Sequence, residues 1–233
     1  LANQQGVELH AIVAGKDIKG KVEEHTLAEL KDVRLRAGEG GPDAPATKYG
    51  ILTLEEALDV TRGKILINID KFVRYPREIL DLVKAKGCIS NVLIKTDWYA
   101  KTLRDSIGEE HWQSILSGEL LYMQILRYPE WPEPGETWFA LEPRANSIYE
   151  CCFSNDAGEK TVVGLQDRFP TARIWINTLW DSLCNAHADH KGLAGQPEAC
   201  WGWCIDRAKA TFIQTDAGKE VIEYLKRRNR RQL

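Results

Sequence analysis

From about residue 50 onward, short apolar segments alternate with helix-patterned ones, and this alternation constrains the fold more than any other feature. Strands are expected at Ile65–Asp70, Asn91–Thr96, Leu121–Leu126, Ile148–Phe153, Arg173–Thr178 and Thr211–Thr215, with helices between them and a last helix from Gly218 to about Arg228. Each parallel pair of strands needs a long connection, so six such alternations predict a parallel sheet with crossover helices.

The boundaries carry their own signals. Thr53 followed three residues later by Glu56 is a capping-box pattern that opens a helix. A helix follows Pro76 with Ile79, Leu80, Leu82 and Val83 as its apolar face, and Gly87 stops it. Two short helices are expected around Tyr99–Ile107 and Glu110–Leu116. The stretch "RYPEWPEPGETW" is too rich in proline and acids for the interior of an element and is expected to be a loop.

The strands turn polar toward their C-terminal ends. With a period of two, "ILINID" puts Ile65, Ile67 and Ile69 on one face and Leu66, Asn68 and Asp70 on the other. In "NVLIKT" Leu93 and Lys95 share a face, and in "RIWIN" Ile174 and Ile176 lie opposite Trp175 and Asn177. Polar groups at those ends suit the ligand face of a closed barrel, and equally that of an open parallel sheet.

Composition excludes more than it identifies. The 233 residues carry a formal charge of -3, without the basic footprint of a nucleic-acid partner. The run Lys226, Arg227, Arg228, Arg230 and Arg231 suits a helix C-terminus. No apolar run reaches the roughly 20 residues of a membrane span, and no secretory leader is evident. The sequence begins at Leu1 rather than Met, which suggests a processed or truncated product and leaves the compartment open. Oligomeric state is not legible.

Six cysteines are too few for a disulfide scaffold. Cys151 and Cys152 should face opposite sides of a strand, and Cys200 and Cys204 lie one helical turn apart as packed thiols. No repeat, low-complexity tract or second domain stands out. Residues 1–50 are expected to be an N-terminal connecting segment and 51–233 the strands and helices of a single domain.

Among polar residues, Asp70 could cap a turn, pair with Lys71, or act as a site acid. Glu150, if it faces the site with Cys152, needs a partner or a metal. Trp175 and Asn177 are candidate substrate-binding residues. In "HADH", His187, Asp189 and His190 could meet at a metal or lie on a polar surface.

Several stretches together resemble the glycerophosphodiester phosphodiesterase family. "KGKVEEHTLAELKDVRLR", "ILTLEEALDVTRGKILINID" and "FIQTDAGKEVIEYL" follow, in order, that family's "G-x-v-x-x-x-T-l-x-E-L-k-x-l-r-L", "P-T-L-x-E-a-L" with "l-N-I-E-x-K", and "I-x-T-D-x-P-x-x-l-x-x-L". The match runs from about Gly20 to Leu225 and is weak in the middle. "RIWINTLWDSLCNAHADHKG" resembles a branch found among bacterial cell-envelope proteins, which leans toward a periplasmic or secreted location.

The resemblance implies a TIM-type (β/α)8 barrel, here missing or altered in its first two strand-helix units. It implies hydrolysis of a small-molecule glycerophosphodiester to glycerol 3-phosphate and an alcohol, assisted by a divalent metal, calcium or magnesium. By position Asp70 corresponds to a metal-binding glutamate. The family's lysine falls on Phe72, so Lys71 lies one place out of phase, and Lys95 on the next strand is the better phosphate-facing cation. His10 lies near the place of a catalytic histidine. The family's "H-R-G", "E-N" and "E-x-D" motifs are absent. The alternative is therefore a noncatalytic binding protein or inactive remnant on the same scaffold, and a sugar-processing barrel using Asp70 and Glu150 ranks third.

Overall fold

The computed structural model describes residues 13–14, 18–38, 40–129 and 148–230. The chain divides into two compact units, Leu1–Arg62 and Gly63–Leu233.

In the first unit, β1 (Val13–Ala14) pairs antiparallel with β2 (Arg34–Leu35), and Val13, Ile18, Leu30 and Val33 form a small core. Helices α1 (Leu27–Lys31) and α2 (Leu54–Thr61) both begin with full capping boxes, Thr26 with Glu29 and Thr53 with Glu56. At α2 the Thr53 hydroxyl accepts from the Glu56 N–H at 3.2 Å while the Glu56 carboxylate accepts from the Thr53 N–H at 2.8 Å. Two of the free donors at the helix start are thereby satisfied.

The second unit carries the parallel sheet. Its strands are β3 (Ile67–Ile69), β4 (Val92–Thr96), β5 (Leu121–Arg127), β6 (Ile148–Cys152), β7 (Arg173–Asn177) and β8 (Ala210–Gln214). They pair in sequence order and every pairing is parallel. The connections hold α3 (Pro76–Ala85), α4 (Ala100–Ile107), α5 (Glu109–Ser117), α6 (Asp156–Val163), α7 (Leu165–Arg168), α8 (Asp189–Leu193) and α9 (Trp201–Asp206), and α10 (Gly218–Arg227) follows β8. All six expected strands are present, the first shortened to three residues.

The expected (β/α)8 barrel is not. The sheet is a half-barrel whose edge strands β3 and β8 do not pair with each other. Closure would require two further parallel strands between these edges. The remaining strands among the described residues are β1 and β2, each two residues long and paired only with each other. Among the described residues the sheet of the second unit is open, and its edges were invisible to a pattern that reports only which face each side chain takes.

The two faces divide as the alternation requires. Leu126, Tyr149, Cys151, Phe153, Ile174 and Ile176 pack with Val162, Leu165, Trp203 and Cys204 from the crossover helices. On the opposite face Leu93, Met123 and Ile148 form an apolar floor with Leu121, Trp175 and Phe212. Polar side chains stand above this floor, toward the strand C-termini.

Candidate functional site

Register brings the polar strand ends together. Ile69 pairs with Ile94, so the next residues along, Asp70 and Lys95, are neighbours. Lys95 pairs with Met123 on β5, and Glu150 on β6 pairs with Ile125 and Trp175. Lys95 and Glu150 thus stand two strands apart, and their long side chains meet over β5. The Lys95 Nζ donates to Glu150 Oε2 at 3.0 Å and lies 3.8 Å from Asp70 Oδ1. The second distance is an ion pair without a hydrogen bond.

Burial differs sharply within this trio. The side chains of Lys95 and Glu150 are 10% and 5% exposed, whereas Asp70 is 52% exposed. Charges as buried as Lys95 and Glu150 persist because each partners the other. Asp70 adds a carboxylate at the open side, leaving one negative charge in excess.

The surrounding groups orient the pair. Asn177 Nδ2 donates to Glu150 Oε1 at 3.5 Å, while its Oδ1 accepts from the Leu179 N–H at 3.1 Å, which fixes which way the amide faces. Trp175 stacks on Phe212 at 5.2 Å between ring centroids, and its Nε1–H donates to Gln214 Oε1 at 3.2 Å. Burial, with Glu150 nearby, pushes the Cys152 thiol up to about 12, so it is a packed thiol and no nucleophile. Asn68, on the same face as Asp70, has a buried Oδ1 without a hydrogen-bond partner.

Of the residues expected from sequence, Asp70, Lys95, Glu150, Asn177 and Trp175 share this face. Lys71 does not follow its strand. It adopts a left-handed φ of 55° and begins the turn Phe72–Arg74. His10 lies outside the described residues. The "HADH" side chains separate. His187 bonds Glu159 at 3.0 Å and stacks on Trp203, and His190 lies on the surface 3.5 Å from Asp181. Buried Asp189 accepts from the Thr178 hydroxyl, the Trp201 indole, the Thr215 hydroxyl and the Asp216 N–H at 2.7, 2.8, 2.8 and 3.0 Å. It ties the ends of β7 and β8 to α9.

Gln214 was missed by sequence reasoning, although the alternation of β8 places it at a strand end beside Asn177. All six cysteines are free and buried.

A divalent cation would find hard oxygens in Asp70 and Glu150, a suitable type for calcium or magnesium. Among the described residues, however, no group of three or more His, Cys, Asp or Glu could hold a metal ion. The Lys95 ammonium stands between the two carboxylates. These residues do not by themselves fit a cation.

A family described only as a domain of unknown function, DUF4996, matches residues 122–225. The matched segment includes Glu150, Trp175, Asn177 and Gln214 and excludes Asp70 and Lys95. Comparison with curated proteins finds no match. Among the described residues no helix is long and apolar enough to cross a membrane.

Proposed function

We propose that the strand-end face of the second unit binds and hydrolyses a glycerophosphodiester, releasing glycerol 3-phosphate and an alcohol. The observation that carries this reading is the meeting of Asp70, Lys95 and Glu150 at the C-terminal ends of sequentially paired parallel strands, the end at which the loops of barrel-type α/β sheets build their sites. The ordered resemblance from Gly20 to Leu225 supplies the substrate class.

Cleavage requires neutralisation of the nonbridging oxygens, activation of a nucleophile and protonation of the leaving alcohol. An ammonium has three N–H donors, and Glu150 takes one of them, so Lys95 keeps donors for a phosphate oxygen. Glu150 and Asn177 hold that ammonium in place. Asp70, half-exposed beside it, would accept a proton from the attacking water as its oxygen bonds to phosphorus, and solvent would supply the proton to the alcohol oxygen as its bond to phosphorus breaks. The Trp175 ring and Asn177 would border the glycerol.

Incubation with glycerophosphocholine or glycerophosphoethanolamine, with and without calcium or magnesium, should release glycerol 3-phosphate, and Asp70→Ala should abolish release. No release by the product of the full natural reading frame, under any of these conditions, overturns the proposal.

One observation favours a second reading, binding without turnover. His111, His187 and His190, the described histidines of this unit, pair with Asp81, Glu159 and Asp181 rather than with the site. Saturable binding of the same diesters without product would establish that reading.

A further inference from the structure

We infer that Lys95 is the resident cation of the strand-end site, so that Asp70 and Glu150 are held together by an ammonium in place of a divalent ion. Calcium takes six to eight oxygens and magnesium six, at roughly 2.0–2.6 Å. Any ion drawn to both Asp70 and Glu150 would compete with the Lys95 Nζ, which lies 3.8 Å from one carboxylate and 3.0 Å from the other. A cation placed beside the ammonium instead would face a like charge in a poorly hydrated setting, where such repulsion is strong. The second oxygen of Glu150 is faced by the Asn177 amide donor, a group that favours an anion and not a metal.

The same geometry says what removal of the ammonium would release. Two carboxylates would lose their shared counter-charge, and on the same face, two residues before Asp70, Asn68 Oδ1 is buried without a hydrogen-bond partner. Affinity for hard cations rises with the number and charge of such ligands. Lys95 therefore acts as the gatekeeper of a latent cation site. This inference concerns the charge of the site and is independent of turnover: glycerol 3-phosphate release can fail while it holds, and the reverse.

Terbium(III) provides the probe, because it seeks hard oxygens and its emission is sensitised by a nearby indole. Trp175 is the cross-strand partner of Glu150. The wild-type chain should show no saturable sensitised emission at micromolar terbium. Lys95→Met should gain it. Lys95→Arg, which keeps the charge, should not gain it, and Lys95→Met combined with Asp70→Asn should lose it.

Saturable wild-type binding at micromolar terbium, weakened by Asp70→Asn and unimproved by Lys95→Met, overturns the inference. Circular dichroism verifies that each variant is folded. If Lys95→Met does not fold, the wild type decides: emission that Asp70→Asn removes overturns the inference, and absence of emission supports it.

Discussion

Lys95 and Glu150 meet across an intervening strand, with the ammonium 3.0 Å from the carboxylate and both side chains nearly withdrawn from solvent. Such a pair adds little net stability compared with apolar residues of the same volume, but removing one partner strands the other charge. Glu150→Leu and Lys95→Met should each cost about 3–5 kcal/mol. The double variant should recover much of that loss, as measured by urea denaturation in a double-mutant cycle. Additive losses would show that the two side chains act independently.

Asp189 accepts four hydrogen bonds from groups at the ends of β7, β8 and α9. Asp189→Ala leaves those donors unpaired around a mostly buried carboxylate position, and hydrogen bonds to charged groups are worth about 1.5–3 kcal/mol each. A loss of more than about 3 kcal/mol is expected. Asp189→Asn should cost less, because it preserves one acceptor oxygen. Equal denaturation midpoints for wild type and Asp189→Ala would contradict this role.

Glu56 carries the acid sensitivity of helix α2. The Lys31 ammonium, then the Thr53 N–H, hold its carboxyl down at about 2 from an ordinary 4.5. A depressed carboxyl contributes stability that is present above its unfolded value and is lost as pH falls through its folded value. Protection of the α2 amides should therefore weaken as pH drops from about 4.5 toward 2. Lys31→Met should move the Glu56 titration back upward when followed by carboxyl NMR, and an unmoved titration would rule out Lys31 as the main cause.

Gly158 sits where α6 meets the end of β6. A Cβ there would lie 2.7 Å from the Phe153 Cβ and 3.0 Å from the Tyr128 ring, and the Phe153 backbone neighbour cannot swing away. Gly158→Ala should destabilise by about 1–3 kcal/mol through overpacking, visible in thermal unfolding. An unchanged midpoint would mean that α6 shifts outward freely.

Much of this was legible in the sequence, for a definite reason. Alternation in "RIWIN" correctly separated Ile174 and Ile176, in the helix-covered core, from Trp175 and Asn177 on the opposite face. It also put Glu150 and Lys95 on one face. It could not show that they touch, because their contact spans β5 and depends on register and side-chain length. Closure into a barrel was overestimated, since pairing at an edge leaves no periodic trace. Lys71 lies one place out of phase with Asp70, and its left-handed backbone follows the point where the strand stops. The "HADH" residue types left open a shared metal or a polar surface, and in the fold each turns to a different neighbour, with Asp189 buried.

The most direct measurement is a nitrogen-15 NMR titration of the labelled chain with glycerophosphoethanolamine, followed at the side chains of the strand-end face. Saturable shifts are expected of the Trp175 indole and of the Asn177 and Gln214 amides, with the Trp201 indole, buried against Asp189, unmoved. Lys95→Met should abolish the shifts. Saturable shifts confined to other parts of the chain, or none at millimolar ligand, would contradict placement of the site on Asp70, Lys95 and Glu150.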